Sequence, residues 1–163
     1  MSIKPILFNT EMVRAILNGR KTCTRRVVKH NTEKVLDSPY HMEHSEMEDA
    51  WLIRRLCRAP YEPGDILYVR ETFIQAAAHT FWYKADDKAW MSKDLLWKPS
   101  IHMPQEAARI WLKVTDVRVE RLHDITENGI KNEGIRLKQK DCVSKFDYIS
   151  ELYFLFSRLW DLT

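Results

Sequence analysis

The chain has little of what would hold it together by anything other than ordinary packing. Its three cysteines, Cys23, Cys57 and Cys142, are odd in number, far apart and never spaced as CxxC. That excludes a disulfide framework and a zinc knuckle, and suits reduced thiols. Four glycines and six prolines in 163 residues exclude a collagen-like chain. There is no internal repeat and no low-complexity tract. No apolar run approaches the roughly 20 residues that a spanning helix needs, and no hydrophobic signal segment is present. The expectation is a soluble, cytoplasmic protein without a membrane partner. His41 and His44 have no third ligand type clustered beside them, so neither a metal site nor another cofactor is expected.

What is present is enough apolar material for one core. Hydrophobic residues make up 45% of the chain and charged residues 30%, and the length suits a single domain over residues 1–163. The charge is unevenly placed. Between Arg14 and Lys34 seven basic residues (Arg14, Arg20, Lys21, Arg25, Arg26, Lys29, Lys34) face one acidic residue, Glu33. This local +6 in a chain of net charge +3 leaves the remainder at −3. Such a patch is either a docking site for phosphate or nucleic acid, or a solvated basic face.

Periodicity supplies the elements. Residues 3–8 read as a first or edge strand because Pro5 removes a ladder donor. Thr10 reads as the N-cap of a helix carrying Met12, Val13, Ile16 and Leu17 on one face, with Gly19 as its left-handed terminator. Residues 22–28 then leave as a strand or extended loop, and residues 31–50 read as a polar insertion. Strands are expected at residues 51–58, 64–71, 80–85 and 109–120, the last of them long and central. Residues 97–104 form a proline-bounded loop with large side chains, and Pro104 suits the first turn of a short helix. Asp124 and Glu127 have capping-box spacing for a helix that stops at Gly134 with Glu133 at its end. Residues 144–160 form the strongest helix, with Phe146, Ile149, Leu152, Tyr153, Phe156 and Trp160 on a stripe expected to pack on the sheet.

Gly19-Arg20-Lys21-Thr22-x-Thr24-x-Arg26 after a strand and a helix, then Pro63-Gly64-Asp65-Ile66-Leu67 opening a strand, resembles the ASCH domain of the PUA-like superfamily. Tyr68-Val69-Arg70-Glu71-Thr72, Pro99-Ser100-Ile101-His102-Met103-Pro104 and Leu159-Trp160-Asp161 are similar to phage and prophage ASCH proteins. The resemblance implies an α+β fold: a small mixed β-barrel with flanking helices, in a superfamily that binds RNA or reads modified bases in a cleft. The chain departs from the compact family members by its polar insertion and by a further insertion around residues 74–104. It also ends at Leu162-Thr163, where family members continue into a last strand; the resemblance then implies that another segment or a partner chain fills that sheet edge, or that the edge is exposed and open to self-association.

One ASCH branch removes the acetyl group from N4-acetylcytidine. Carried over by motif, its lysine and threonine fall on Lys21 and Thr24 and its glutamate on Glu133, with Glu127 as the competing position. A threonine hydroxyl attacks only when a base takes its proton. A lysine does this as a neutral amine, a state favoured by positive neighbours such as Arg20, Arg25 and Arg26. The carboxylate would orient the amine or relay a proton, and no metal is required.

The same residues also read as a binding surface for RNA, single-stranded nucleic acid or a modified nucleoside. Arg20, Lys21, Arg25 and Arg26 would meet phosphates, Thr22 and Thr24 would donate hydrogen bonds, and aromatics such as Trp82, Tyr83 or Trp97 would stack on a base. Arg70 and Glu71, beside an apolar strand, are either paired or used for a ligand. A third reading is structural or protein-interacting, with the basic patch solvated and the tryptophans in the core.

Overall fold

Alternation of branched and aromatic residues after a proline-glycine turn builds the best strand of the chain, and the rest of one sheet assembles beside it. The structure, a computed structural model, describes residues 1–28, 53, 59–86, 95–137 and 144–161. In order these form β1 (Ile3–Leu7), α1 (Thr10–Leu17), β2 (Ile66–Arg70), β3 (Phe73–Ala77), β4 (Thr80–Tyr83), β5 (Trp111–Lys113), α2 (Glu127–Asn132) and α3 (Lys145–Asp161). Short 3₁₀ turns lie at Lys84–Asp86, Ser100–His102, Gln105–Ala107 and Leu122–Asp124. The class is α+β, and the described strands form a three-stranded sheet of order β1-β2-β5 and a two-stranded sheet of β3 and β4. Among the described residues no helix is long and apolar enough to cross a membrane.

Contacts divide the chain into two compact units. The first contains Met1–Ile6, Arg26–Val69 and Ala108–Asp124, and the second Leu7–Arg25, Arg70–Ala107 and Ile125–Thr163.

The first unit is organised by β2. Gly64, at φ 93°, makes the turn that starts the strand, and its N–H donates to the Val114 carbonyl at 2.8 Å. β2 then runs antiparallel to β5, with Ile66 opposite Lys113, Leu67 opposite Leu112 and Tyr68 opposite Trp111. Ile66 N–H donates to Ser2 O and Phe8 N–H to Arg70 O, start with start and end with end, so β1 lies parallel to β2. Leu67 and Val69 are buried and alternate with half-buried Ile66 and Tyr68, as a period of two requires.

The long strand expected over residues 109–120 shortens to three paired residues. Beyond Val114 its partner turns away at Gly64, and the continuing alternation has no described ladder to join. Arg118 there pairs with Asp116 and Glu120. The strand expected at residues 51–58 lies outside the described residues apart from Ile53, as does the polar stretch 31–50 with His41 and His44.

In the second unit, the cap of α1 lies one residue earlier than expected: Asn9 Oδ1, not the Thr10 hydroxyl, accepts the Met12 N–H at 2.9 Å. Met12, Val13 and Ala15 are buried. Thr126 takes the N-cap role expected of Asp124, its hydroxyl accepting Gly129 N–H at 3.1 Å. The strand expected at residues 80–85 is β4, and only its hairpin partner β3 is new. The turn between them carries His79 at φ 60°, and a bulge between Gln75 and Ala77 shifts the register. This hairpin stands where an appended insertion was expected, yet Ala85 and Met103 within that insertion are buried, as are Phe73 and Ala107 just outside it.

α3 packs on a helix rather than on a sheet. Its buried Leu152 and Phe156 cluster with Ile125 and Ile130 around α2, with Ile135, Leu137 and Tyr148 at the margin. Phe146, placed on the expected stripe, is 78% exposed. A helix as short as α2 needs tertiary packing of this kind to persist.

Asp65 locks the first unit's turn. Its carboxylate accepts from Lys4 Nζ at 2.7 Å, Ser2 Oγ at 2.8 Å, Ser2 N at 2.9 Å and Glu62 N at 3.1 Å. The Lys4 and Ser2 hydrogen bonds hold its carboxyl well below the usual carboxylate range. A depressed native pKa contributes stability that is present above the unfolded value, about 4, and is lost as pH falls from there through the native value. Asp65→Asn is therefore expected to lower the urea midpoint at about pH 7, with the gap to the wild type narrowing as pH falls below about 4. A gap that stays constant with pH would contradict this.

Candidate functional site

The basic segment is positioned by the end of α1 and the end of α2. Gly19, at φ 67°, ends α1 as expected, and its N–H donates to Ile16 O. The N–H groups of Arg20 and Lys21 both reach Ala15 O, at 2.8 and 3.1 Å. Lys21 then bridges Glu133 in antiparallel fashion, and the N–H groups of Thr22 and Cys23 donate to Asn132 O at 2.8 and 3.1 Å. Glu133 is the C-cap of α2, so the segment is stitched by backbone to carbonyls that the helix end leaves unpaired.

Gly134 makes the approach possible. At φ 93° it adopts a conformation open to glycine, and a Cβ there would lie 2.7 Å from Ala15 Cβ and 3.0 Å from Lys21 Cβ.

The side chains complete the junction. Lys21 Nζ donates to Glu133 Oε2 at 2.6 Å and to Glu133 O at 3.0 Å. Arg25 Nη1 meets the other carboxylate oxygen, Oε1, at 3.2 Å, and also Gly129 O and Cys23 Sγ, each at 3.4 Å. The Lys21 and Glu133 side chains are only 2% and 3% exposed, and that of Arg25 is 21% exposed. Lys21 Nζ also lies 5.5 Å from the centroid of the Phe8 ring. Arg20 Nη1 donates to Gly134 O at 2.6 Å. Cations gather here because a helix C-terminus is the negative end of its dipole and a buried carboxylate is costly unless paired.

Glu133, not Glu127, therefore meets Lys21. Glu127 pairs along α2 with Lys131 at 2.5 Å. The nearest charge to Lys21 is a carboxylate, whereas the sequence suggested arginine neighbours. Thr24 is half-buried, Thr22 is exposed, and exposed Arg26 is counted in the first unit.

The remaining candidates lie elsewhere in the second unit. Arg70 donates through Nη2 to Ile101 O, while its Nε is buried without a partner among the described residues. Glu71 is 1% exposed, with its N–H directed at Met103 Sδ at 3.1 Å. Tyr83 donates its hydroxyl to Ala107 O at 2.7 Å, and Trp97 is half-buried. Among the described residues no three His, Cys, Asp or Glu side chains group as metal ligands.

Sequence reasoning missed Cys23, Phe8, Gly129 and the close approach at Gly134. Gly134 was legible only as a helix stop, since spacing along a chain does not reveal what a glycine touches. Matched against family models, curated proteins and solved structures, the chain finds no counterpart.

Two outcomes follow for this junction. Gly134→Ala combines left-handed strain with a clash against Ala15, and should destabilise by about 2–4 kcal/mol in equilibrium denaturation. A loss within ~0.5 kcal/mol would show that the approach is not tight. The second concerns Cys23, whose thiol is pushed up by burial and by the Glu133 anion, against the pull of Arg25 and Lys21. Glu133→Gln removes an upward push and leaves both cations. Alkylation of Cys23, followed at its own peptide by mass spectrometry, should then begin at lower pH than in the wild type. An unchanged profile would detach Glu133 from the thiol.

Proposed function

We propose that the protein is a nucleic-acid or modified-nucleoside binding protein of the ASCH type, with a PUA-like fold. Its ligand meets the Gly19–Arg25 stretch of the Gly-Arg-Lys-Thr-x-Thr-x-Arg motif, together with Arg26 next along the chain. The observation that supports this reading is the anchoring of that stretch: backbone bonds to Asn132 O and the buried Lys21–Glu133 pair fix its course while Thr22 is left exposed and Thr24 and Arg25 half-buried. A preorganised loop loses less entropy on binding than a mobile one. Hydrogen-bond donors and cations on such a loop suit phosphate and the polar edges of a base.

Deacetylation of an N4-acylated cytidine is the second reading, and the 2.6 Å contact between Lys21 Nζ and Glu133 Oε2 is what favours it. In that reaction Lys21 first passes a proton to Glu133 and then, as the neutral amine, takes the Thr24 Oγ1 proton as that oxygen attacks the acetyl carbon. The cytidine amine leaves with a proton, and water then frees acetate from the threonine ester. Binding ranks above hydrolysis because Lys21 Nζ is enclosed, held by the Glu133 carboxylate and carbonyl, so a substrate would have to displace one of them.

Affinity for single-stranded RNA and DNA should fall steeply with salt. The double variant Arg25→Ala, Arg26→Ala should flatten the log-log slope by about two. Absent or salt-independent binding would remove the binding reading. Release of cytidine from N4-acetylcytidine that disappears in Lys21→Ala would move the assignment to hydrolysis.

A further inference from the structure

The outward face of the first unit's sheet is not used by any reading above. Residues opposite each other on neighbouring strands share a face, so Ile66, Tyr68, Trp111 and Lys113 project together. Leu67 and Val69 are buried on the other face. Trp111 is 46% exposed on a strand, where a large apolar side chain normally faces a core. It is also fixed in orientation: Nε1 donates to Ala108 O at 3.2 Å, and the Tyr68 ring centroid lies 6.0 Å away at an interplanar angle of 44°. Lys113 is exposed two positions along β5, on the same side.

On the far side of β2, β1 buries Ile6 and exposes Ile3 and Pro5. Tyr61 donates its hydroxyl to Pro5 O at 3.0 Å, and Arg26 and Lys4 lie near enough to oppose the upward push that burial gives its phenol. Asp65 is enclosed by Lys4 and Ser2. On the aromatic pair's own face the exposed cation is Lys113, while Lys4 turns to Asp65 on the other side of the sheet.

Size decides what such a face can take. Three residues of rise across three strands give an area on the order of 100–200 Å². A stable protein interface needs about 800 Å² from each partner. Among the described residues the face is too small for a folded partner and about the size of one or two stacked bases. Every base has a π-face, and a lysine beside the rings supplies a phosphate contact.

We infer that the Tyr68–Trp111 face of the β1-β2-β5 sheet is a stacking platform for bases of a single-stranded nucleic acid, with Lys113 on the adjoining phosphate. This inference rests on the nucleic-acid reading given above, but concerns different residues in the other unit.

The test is fluorescence anisotropy of labelled oligo(U) and oligo(dT), each roughly a dozen nucleotides long, with the full-length protein. Trp111→Ala should weaken binding roughly tenfold, and Trp111→Phe should retain most of the affinity, since stacking needs a ring. The salt slope of Trp111→Ala should match the wild type, because no charge is removed, whereas Lys113→Ala should reduce it by about one. Binding by the wild type that Trp111→Ala, with an unchanged circular dichroism spectrum, leaves intact overturns the platform alone. If Trp111→Ala does not fold, wild-type affinity in Tyr68→Ala together with an unchanged slope in Lys113→Ala overturns it equally. No binding by the wild type overturns both the platform and the nucleic-acid reading.

Discussion

The second unit depends on how one buried carboxylate is neutralised. Glu133 is nearly inaccessible, and each of its oxygens holds one cation: Oε2 takes Lys21 and Oε1 takes Arg25. The two halves of the Lys21–Glu133 pair lie 112 positions apart in the chain, so the contact ties the end of α1 to the end of α2. Removing one partner of such a pair typically costs about 3–5 kcal/mol, because the other is left charged and buried. The pair is also directional. The backbone bridge between the same two residues and the Gly134 approach to Ala15 set the distance at which the side chains meet.

This neutralisation changes what the basic segment can offer a ligand. By formal charge, Arg20, Lys21 and Arg25 form a strong cationic cluster, but each has a partner within the protein: Gly134 O for Arg20, and Glu133 for the other two. Lys21 is thereby withdrawn into the protein, while half-buried Arg25 and exposed Arg26 remain the cations whose charge a ligand can reach. The buried pair holds the loop, and the exposed and half-buried residues beside it are the ones a ligand can meet.

The first unit distributes its roles differently. Asp65 organises the turn before β2 by accepting four hydrogen bonds from neighbours in space, and the strand it introduces buries one side of its pleat. Because β5 pairs for only three residues, the outward face stays small. A tryptophan on that face, tied by its indole N–H, is an ordered surface feature rather than a core element.

Local rules determined a good part of the protein from sequence alone. The strand at β2, the helices α1, α2 and α3, the left-handed glycines after α1 and α2, and the adjacency of basic residues in one segment all follow from periodicity and backbone preference, which act over a few residues. The sequence could also place Glu133 at a helix end. Tertiary structure alone decided that this helix end meets Lys21, that Glu133 rather than Glu127 is the partner, that Cys23 and Phe8 join the junction, and that Gly134 is where two backbones approach. It also cut the long alternating run to a three-residue strand and set α3 against α2. The physical reason is the same in each case: alternation and capping state what a segment can become, whereas pairing and charge neutralisation depend on which distant residue arrives within about 3 Å.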